Sequence, residues 1–325
     1  AVLVLEGGHT LDVKILSVTP ATSSKTMNLK LKAEIFLERY KVLDPTEKLD
    51  IKHSPDYIAS RNELEVTWPF IVGAEEYDLE WTYVNNVSEN GTYLLASQIE
   101  ITSEIFRSNS TRVSLSDLSE HNGTSISYRI PMIYEQGYVL YRVRPVGVDI
   151  INPNQVIVGS WSSDNDTYTK VSDFKNASTN LNNYFFLSTG HEERINWQSS
   201  VTFIEEGKNK VAVSYADGTL RSRQQVSRLN EEDETVVGES IYDHQGRKAI
   251  DIIPAPTNTK KIQYTPNFNV DGNGNNYSRA NFDEDTDNQC NLKADSLNSV
   301  SGAGKYYSHE NILKFDHDVA IPNAQ

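Results

Sequence analysis

The sequence predicts an all-β protein: β-sandwich modules, followed by a β-meander and a loop-rich segment. Three observations carry this. Apolar residues alternate with period two along much of the chain, while helical periodicity is scarce. Clusters of Gly, Asn, Asp and Ser separate these runs at short intervals, as turns between strands do. The 17 Tyr, 10 Phe and 4 Trp supply core-forming side chains and argue against wholesale disorder. At roughly 100–200 residues per domain, 325 residues suggest two or three domains.

Residues 1–60 read as an N-terminal β segment, expected to be part of an upstream sandwich. Leu11, Val13 and Ile15 alternate with polar neighbours, as do Leu29, Leu31 and Ala33, and a weak helical pattern covers 34–40. Residues 61–170 read as one sandwich. Leu64, Val66 and Trp68 alternate until Pro69 stops the strand; Tyr77, Leu79, Trp81 and Tyr83 alternate next; Val139, Tyr141 and Val143 oppose Leu140, Arg142 and Arg144; Ser160-Trp161-Ser162-Ser163 closes the segment. An early Trp and a late Tyr-rich strand mark an immunoglobulin-like sandwich, and the segment resembles a fibronectin type III module, so the expected fold class is a fibronectin type III/immunoglobulin-like β-sandwich. Trp68, Tyr77, Trp81, Tyr141 and Trp161 are the expected core.

Residues 171–195, rich in Asn and Ser, read as a linker. Residues 196–325 begin with a meander in which turns at Glu205–Lys208, Asp217-Gly218 and Asp243–Gly246 separate the strands. Asp-Gly signals a hairpin because both residues tolerate φ > 0. The stretch Tyr215-Ala216-Asp217-Gly218-Thr219-Leu220-Arg221 is echoed by Tyr242-Asp243-His244-Gln245-Gly246-Arg247, and two such units suggest a repeat. From about 257 the chain turns polar and Asn/Gly-rich. Tyr264, Phe268, Phe282, Tyr306, Tyr307 and Phe315 are the expected anchors of an irregular layer laid over the sheet.

Charge and cysteine usage exclude several classes. With 30 Lys+Arg against 45 Asp+Glu the formal net charge is −15, which opposes a sequence-independent grip on nucleic acid. No run reaches the ~18–20 apolar residues of a membrane span. Cys290 is the only cysteine, so no intrachain disulfide forms, and large β cores do without one. The apolar start at Ala1–Leu5 lacks a basic region and a cleavage site. The expectation is a processed chain or a segment of a longer one.

Four passages, in order, resemble a known family: Ala74-Glu75-Glu76-Tyr77-Asp78-Leu79-Glu80-Trp81; Tyr138-Val139-Leu140-Tyr141-Arg142-Val143-Arg144; the run from Ser214 to Pro256 with its two Tyr/Asp turns; and Ser301-Gly302-Ala303-Gly304-Lys305-Tyr306-Tyr307-Ser308. Together they are similar to the region upstream of, and entering, the repeats of large Rhs/YD-repeat surface proteins of Bacteroidetes. The resemblance covers about residues 61–325 and is most specific over 196–256. It implies export, typically by the type IX secretion system, and a role at the cell surface or outside in adhesion, motility or delivery. It also implies secretion machinery and other surface proteins as partners. No long YD array is present, so the family's shell and any toxin are not assigned to these residues.

Motifs for chemistry are few. Asp271, Asn273 and Asn275 place oxygen ligands at the first, third and fifth positions of a calcium loop, and Asp283 lies close enough in sequence to add a carboxylate. However, Asn276 stands where the loop needs Gly, and Phe282 where it needs Glu. A solvated turn is the plainer reading. The seven His are scattered, and His191-Glu192-Glu193 lacks the second His of a zinc protease helix. Gly302-Ala303-Gly304-Lys305 resembles part of a P-loop, but Tyr306 replaces the magnesium-binding hydroxyl; a turn backed by the Tyr pair is expected instead. No Gly-x-Ser-x-Gly elbow occurs. The expectation is therefore a non-enzymatic structural or interaction segment, without a cofactor other than calcium in the loop just named. The alternatives are the encapsulating part of a polymorphic toxin and a carbohydrate-binding module with glycans as partners.

Overall fold

The computed structural model describes residues 43–46, 49, 51, 55–116, 125–149, 154–163, 167–229, 234–283, 294–308 and 311. The strands expected near 11–15 and 29–33, the helical pattern at 34–40, Cys290 and Phe315 lie outside these residues. All described residues belong to one unit, and it is all-β.

The first part is a sandwich of two antiparallel sheets. One holds β1 (Asp56–Ile58), β2 (Glu63–Pro69) and β5 (Ser125–Pro131), in the order β1-β2-β5. The other holds β3 (Glu76–Asn85), β4 (Thr111–Leu115), β6 (Gly137–Val148) and β7 (Val156–Val158), in the order β4-β3-β6-β7. This is the immunoglobulin-like class of sandwich that the alternation predicts. Trp68 of β2, Tyr77 and Trp81 of β3 and Tyr141 of β6 are all buried in its core. Trp68 and Tyr77 meet with ring centroids 5.8 Å apart. Leu43, Leu49 and Ile51 are buried in the same core, so the sandwich draws on residues before position 61.

Trp161 is not in that core. It lies half-buried on the opposite face of β3 and β6, where opposite charges sit directly across from each other. Asp78 pairs in register with Arg144, and Glu80 with Arg142 on one side and Arg112 on the other. Arg142 Nε donates to Glu80 at 2.8 Å and Arg144 Nε to Asp78 at 2.8 Å. The Trp161 ring covers the guanidinium carbons of Arg142 and Arg144 at 4.3 and 4.4 Å. Such a stack suits Trp because the indole face attracts cations, and it explains how a charged strand face is buried. Arg142 is capped on a second ring by Phe106 at 4.7 Å. Phe106 is the buried residue of α1 (Ser103–Asn109), whose N-cap Thr102 accepts from Ile105 N–H and so satisfies one end of a single short helix.

Between 171 and 195 the chain does more than link. A strand, β8 (Tyr184–Leu187), pairs with β6 from Gly137↔Leu187 to Leu140↔Tyr184. The buried Val171 and Phe174 join a second cluster with Phe106, Leu140 and Tyr168. The Asn side chains that gave this stretch its linker composition serve turns: Asn176 Oδ1 accepts from Ser178 N–H at 2.9 Å.

The second part is a five-stranded antiparallel meander: β9 (Asn196–Phe203), β10 (Asn209–Ala216), β11 (Ser222–Leu229), β12 (Val236–Tyr242) and β13 (Lys248–Pro256), in spatial order β13-β12-β11-β10-β9. Its inner face carries Val211, Val213, Tyr215, Val226, Val237 and Ala255, all buried. The segment after β13 packs on that face through Ile262, Tyr264, Phe268, Leu297, Ala303 and Tyr307, which is the anchored irregular layer expected from the sequence. Phe282 and Tyr306, also expected as anchors, are 45 % and 41 % exposed. The Gly302-Ala303-Gly304-Lys305 stretch is a short helix, α3 (Gly302–Tyr307), rather than a turn. A second short helix, α2, spans Arg279–Asp283.

The two parts share a dry, hydrogen-bonded seam. Glu63 of β2 and Arg228 of β11 are 1 % and 2 % exposed at their side chains, and Arg228 Nη2 lies 2.5 Å from Glu63 Oε1. Arg61 Nε bonds the other carboxylate oxygen at 2.9 Å. Arg228 Nη1 also donates to the carbonyls of Arg61, at 2.8 Å, and of Lys260. Nearby, Tyr128 OH donates to Gly207 O at 2.6 Å, Asn62 Nδ2 donates to Ile262 O at 2.8 Å, and Trp81 meets Phe203 with centroids 5.7 Å apart.

Candidate functional site

Two of the meander's hairpins, β10–β11 and β12–β13, and a loop in the layer over the sheet are built on one repeated turn. Asp217 N–H donates to Arg221 O, and Leu220 N–H to Asp217 O. Asp243 with Arg247 and Gly246, and Asp271 with Asn275 and Gly274, repeat both bonds. In each turn one carboxylate oxygen also accepts the N–H groups two and four residues on: Thr219 and Arg221, Gln245 and Arg247, Asn273 and Asn275. The residue three after the Asp takes positive φ: Leu220 at 61°, Gly246 at 79° and Gly274 at 83°. This is the longer hairpin loop that ends in a left-handed residue, not the two-residue turn expected at Asp217-Gly218. Gly218 is not among the positive-φ residues. Its Asp–Gly dipeptide is therefore not what makes the turn; the Asp carboxylate is. Hydrogen bonds, first those from Thr219, hold the Asp217 carboxyl well below the usual carboxylate range. Bonds from Arg247 lead in pushing Asp243 down to about 2.

The third turn contains the residues considered for calcium. Asp271 spends its carboxylate on the turn's own N–H groups, with Asn275 Nδ2 at 3.5 Å and Asn281 Nδ2 at 3.4 Å. Asn273 contributes its N–H to that ring, and the side chain of Asp283 lies outside the described residues. Among the described residues no three or more His, Cys, Asp or Glu gather as metal ligands do.

A cleft of about 520 Å³ opens where the first of these turns meets the layer over the sheet. It is lined by Arg194, Tyr215, Asp217, Arg223, Glu239, Tyr264, Asn267 and Asn276, among others. Irregular register builds it. Ala216 pairs with Ser222 and Tyr215 with Gln224, so Arg223 is the extra residue of a bulge; β12 and β13 slip at Val237/Glu239 and again at Ile241/Tyr242. Bulges re-aim side chains at the rims of sheets. Here Arg223 turns to Asp217, its Nε donating at 3.0 Å.

Glu239 sits on the cleft wall with Oε1 accepting from Gln224 Nε2 and Oε2 from Asn269 Nδ2, both at 2.8 Å. Gln224 and Asn269 are themselves fixed, by Thr265 at 2.8 Å and by Ala303 N–H at 2.9 Å. Burial raises the Glu239 carboxyl, against the pull of these amide donors. The Tyr264 ring stands edge-on to Tyr215 at 5.7 Å. Burial, then the Glu239 charge, raises its hydroxyl. No sequence motif marks this constellation, because its members come from five separate segments. The only sequence signal was the repeated Tyr/Asp unit at its edge.

Behind Tyr215 lies His191, which bonds Tyr215 OH at 2.8 Å and stands edge-on to Trp197 at 5.0 Å. Burial, and then the Lys261 charge, pushes its imidazole down to about 4. A second, more apolar cleft of about 220 Å³ lies beside β13, between Ile250, Ile252, Phe282, Leu297 and Tyr307. No described helix is long and apolar enough to cross a membrane. Compared with family models, with curated proteins and with solved structures, the chain matches none.

Proposed function

We propose that this chain is a non-catalytic segment of a large exported Rhs/YD-type repeat protein, acting at the cell surface or outside in adhesion, motility or delivery. The single observation that supports this most is the repeated Asp turn. Three turns, two of them joining meander strands and the third in the layer over the sheet, share the same two backbone bonds, the same carboxylate ring and the same left-handed position. Repetition of one hairpin unit is how such architectures extend a sheet. The buried seam between sandwich and meander adds to the reading, because a stiff joint transmits load where a flexible linker does not. Ion pairs buried under aromatic rings and carboxylates spent on turns are chemistry put to structural use, and they favour the same reading. Antibodies raised against this chain test the proposal on intact cells of its source. A signal present on unbroken cells, and lost on treatment with external protease, supports it. A signal seen only after lysis rejects it.

A further inference from the structure

We propose that the cleft between the first Asp turn and the layer over the meander binds a saccharide, taking one sugar unit at the end or branch of a glycan. The argument rests on which polar groups in the cleft are committed and which are not. Asp217 is spent on its turn: it accepts from Thr219, from Arg221 and from Arg223. Glu239 accepts from the amides of Gln224 and Asn269 and from the Asn269 backbone, and a carboxylate has about four acceptor positions, so one is left for a ligand hydroxyl. Arg223 is ion-paired with Asp217 through Nε and its guanidinium lies over the Tyr242 ring at 5.3 Å, which leaves its two Nη groups without a hydrogen bond to the described residues. The Arg194 side chain is exposed at the rim, and Tyr264 OH, Asn267 and Asn276 line the cleft with no side-chain bond to the described residues.

The remaining groups therefore comprise donors of the guanidinium and amide types, one hydroxyl and one carboxylate held in place by two amides. They lie beside the Tyr264 ring. Opposite charges roughly balance, which disfavours a strongly charged ligand and suits a neutral one dense in vicinal hydroxyls. A carboxylate and a guanidinium each take two adjacent hydroxyls, and an aromatic ring takes the C–H face of a pyranose. The size lies within the ~300–1,000 Å³ of small-molecule sites. The groups are also preorganised: Glu239 is locked by Gln224 and Asn269, which are each locked in turn, and Arg223 is aimed by a bulge. Fixing them before binding lowers the ordering cost of the complex.

The test is calorimetric titration of the full chain with galactose, glucose, mannose, N-acetylglucosamine, N-acetylgalactosamine, galacturonic acid and their linear oligomers, with sulfate and phosphate as anion probes. The expected result is saturable binding of one or more of the sugars, at least tenfold weaker in Glu239→Gln and in Tyr264→Ala. Tyr264→Phe should retain more binding than Tyr264→Ala, since it keeps the ring. Circular dichroism and melting of each variant show that the fold is intact. Absence of binding across the sugars overturns the proposal. So does binding of sulfate or phosphate alone, or sugar binding unchanged in well-folded Glu239→Gln and Tyr264→Ala. None of these outcomes bears on whether the chain is displayed on cells, so this inference and the proposed function fail separately.

Discussion

Glu63→Ala removes a carboxylate that pairs with two buried cations at the seam. Arg228 is 2 % exposed at its side chain, and its Nε already lacks a hydrogen-bond partner among the described residues. Without Glu63 it keeps the carbonyls of Arg61 and Lys260, which carry only partial charge. Breaking a buried pair by deleting one partner costs about 3–5 kcal/mol, a large share of the ~5–15 kcal/mol by which a domain is stable. Replacing all three charges together, Arg61→Met with Glu63→Leu and Arg228→Met, removes the desolvation cost along with the attraction, so most of that loss should be recovered. Urea unfolding followed by tryptophan fluorescence and circular dichroism measures both variants. The expected pattern is a steep loss for the single substitution and a triple variant closer to wild type. A cost below about 1 kcal/mol for Glu63→Ala, or a triple variant worse than the single one, would refute the reasoning.

The turn geometry makes its own demands. Leu220 sits at φ 61°, where a residue with a Cβ is strained; Leu220→Gly should raise stability by about 0.5–1 kcal/mol, read as a higher urea midpoint. Gly218→Ala should change it by less than about 0.5 kcal/mol, because φ is not positive there and an added Cβ meets nothing within 4 Å. Gly302 is the opposite case. Its φ is 48° and a Cβ would lie 2.2 Å from Phe268 O, so Gly302→Ala should cost about 1–3 kcal/mol and expose the layer over the sheet to limited proteolysis. The Asp243 turn should be intact above pH 3.8 and loosen as pH falls toward about 2, since a depressed carboxyl stabilises only while ionised; amide exchange at Gln245 and Arg247 reports it. His191 acts in the same sense but in a higher window, destabilising the fold as pH falls through it. Its imidazole is held neutral down to about 4 against an ordinary 6.5, so the unfolded chain binds the proton first and stability falls between those values, a slope that His191→Gln should flatten in urea titrations across pH.

Local alternation made the sandwich legible. Trp68, Tyr77, Trp81 and Tyr141 recur at even spacing from their neighbours, and all are buried. Trp161 has no such neighbours and was misplaced, because its burial comes from three arginines on other strands. The composition of 171–195 suggested a linker, since asparagines favour turns; those turns in fact bring β8 back to β6. At Asp217-Gly218 the dipeptide pointed to the right place through the wrong mechanism: the Asp carboxylate closes the loop and Leu220, not Gly218, takes the left-handed position. The third copy, at Asp271, is a turn as its Asn/Gly composition suggests, but its kinship with the other two is hidden in the sequence because Asn275 stands where they have Arg. The cleft was not legible at all. Arg194, Arg223, Glu239 and Tyr264 lie far apart in sequence, and the bulge that aims Arg223 has no sequence signature.

The most direct test of the account is the mass of the polypeptide that carries this sequence in its natural source, taken with this chain's own peptides as the identifying tag. The account predicts a surface-accessible polypeptide well above 36.6 kDa, with further hairpin-repeat sequence in the same chain. A native polypeptide of 36.6 kDa, or a larger one without further repeats, would contradict it.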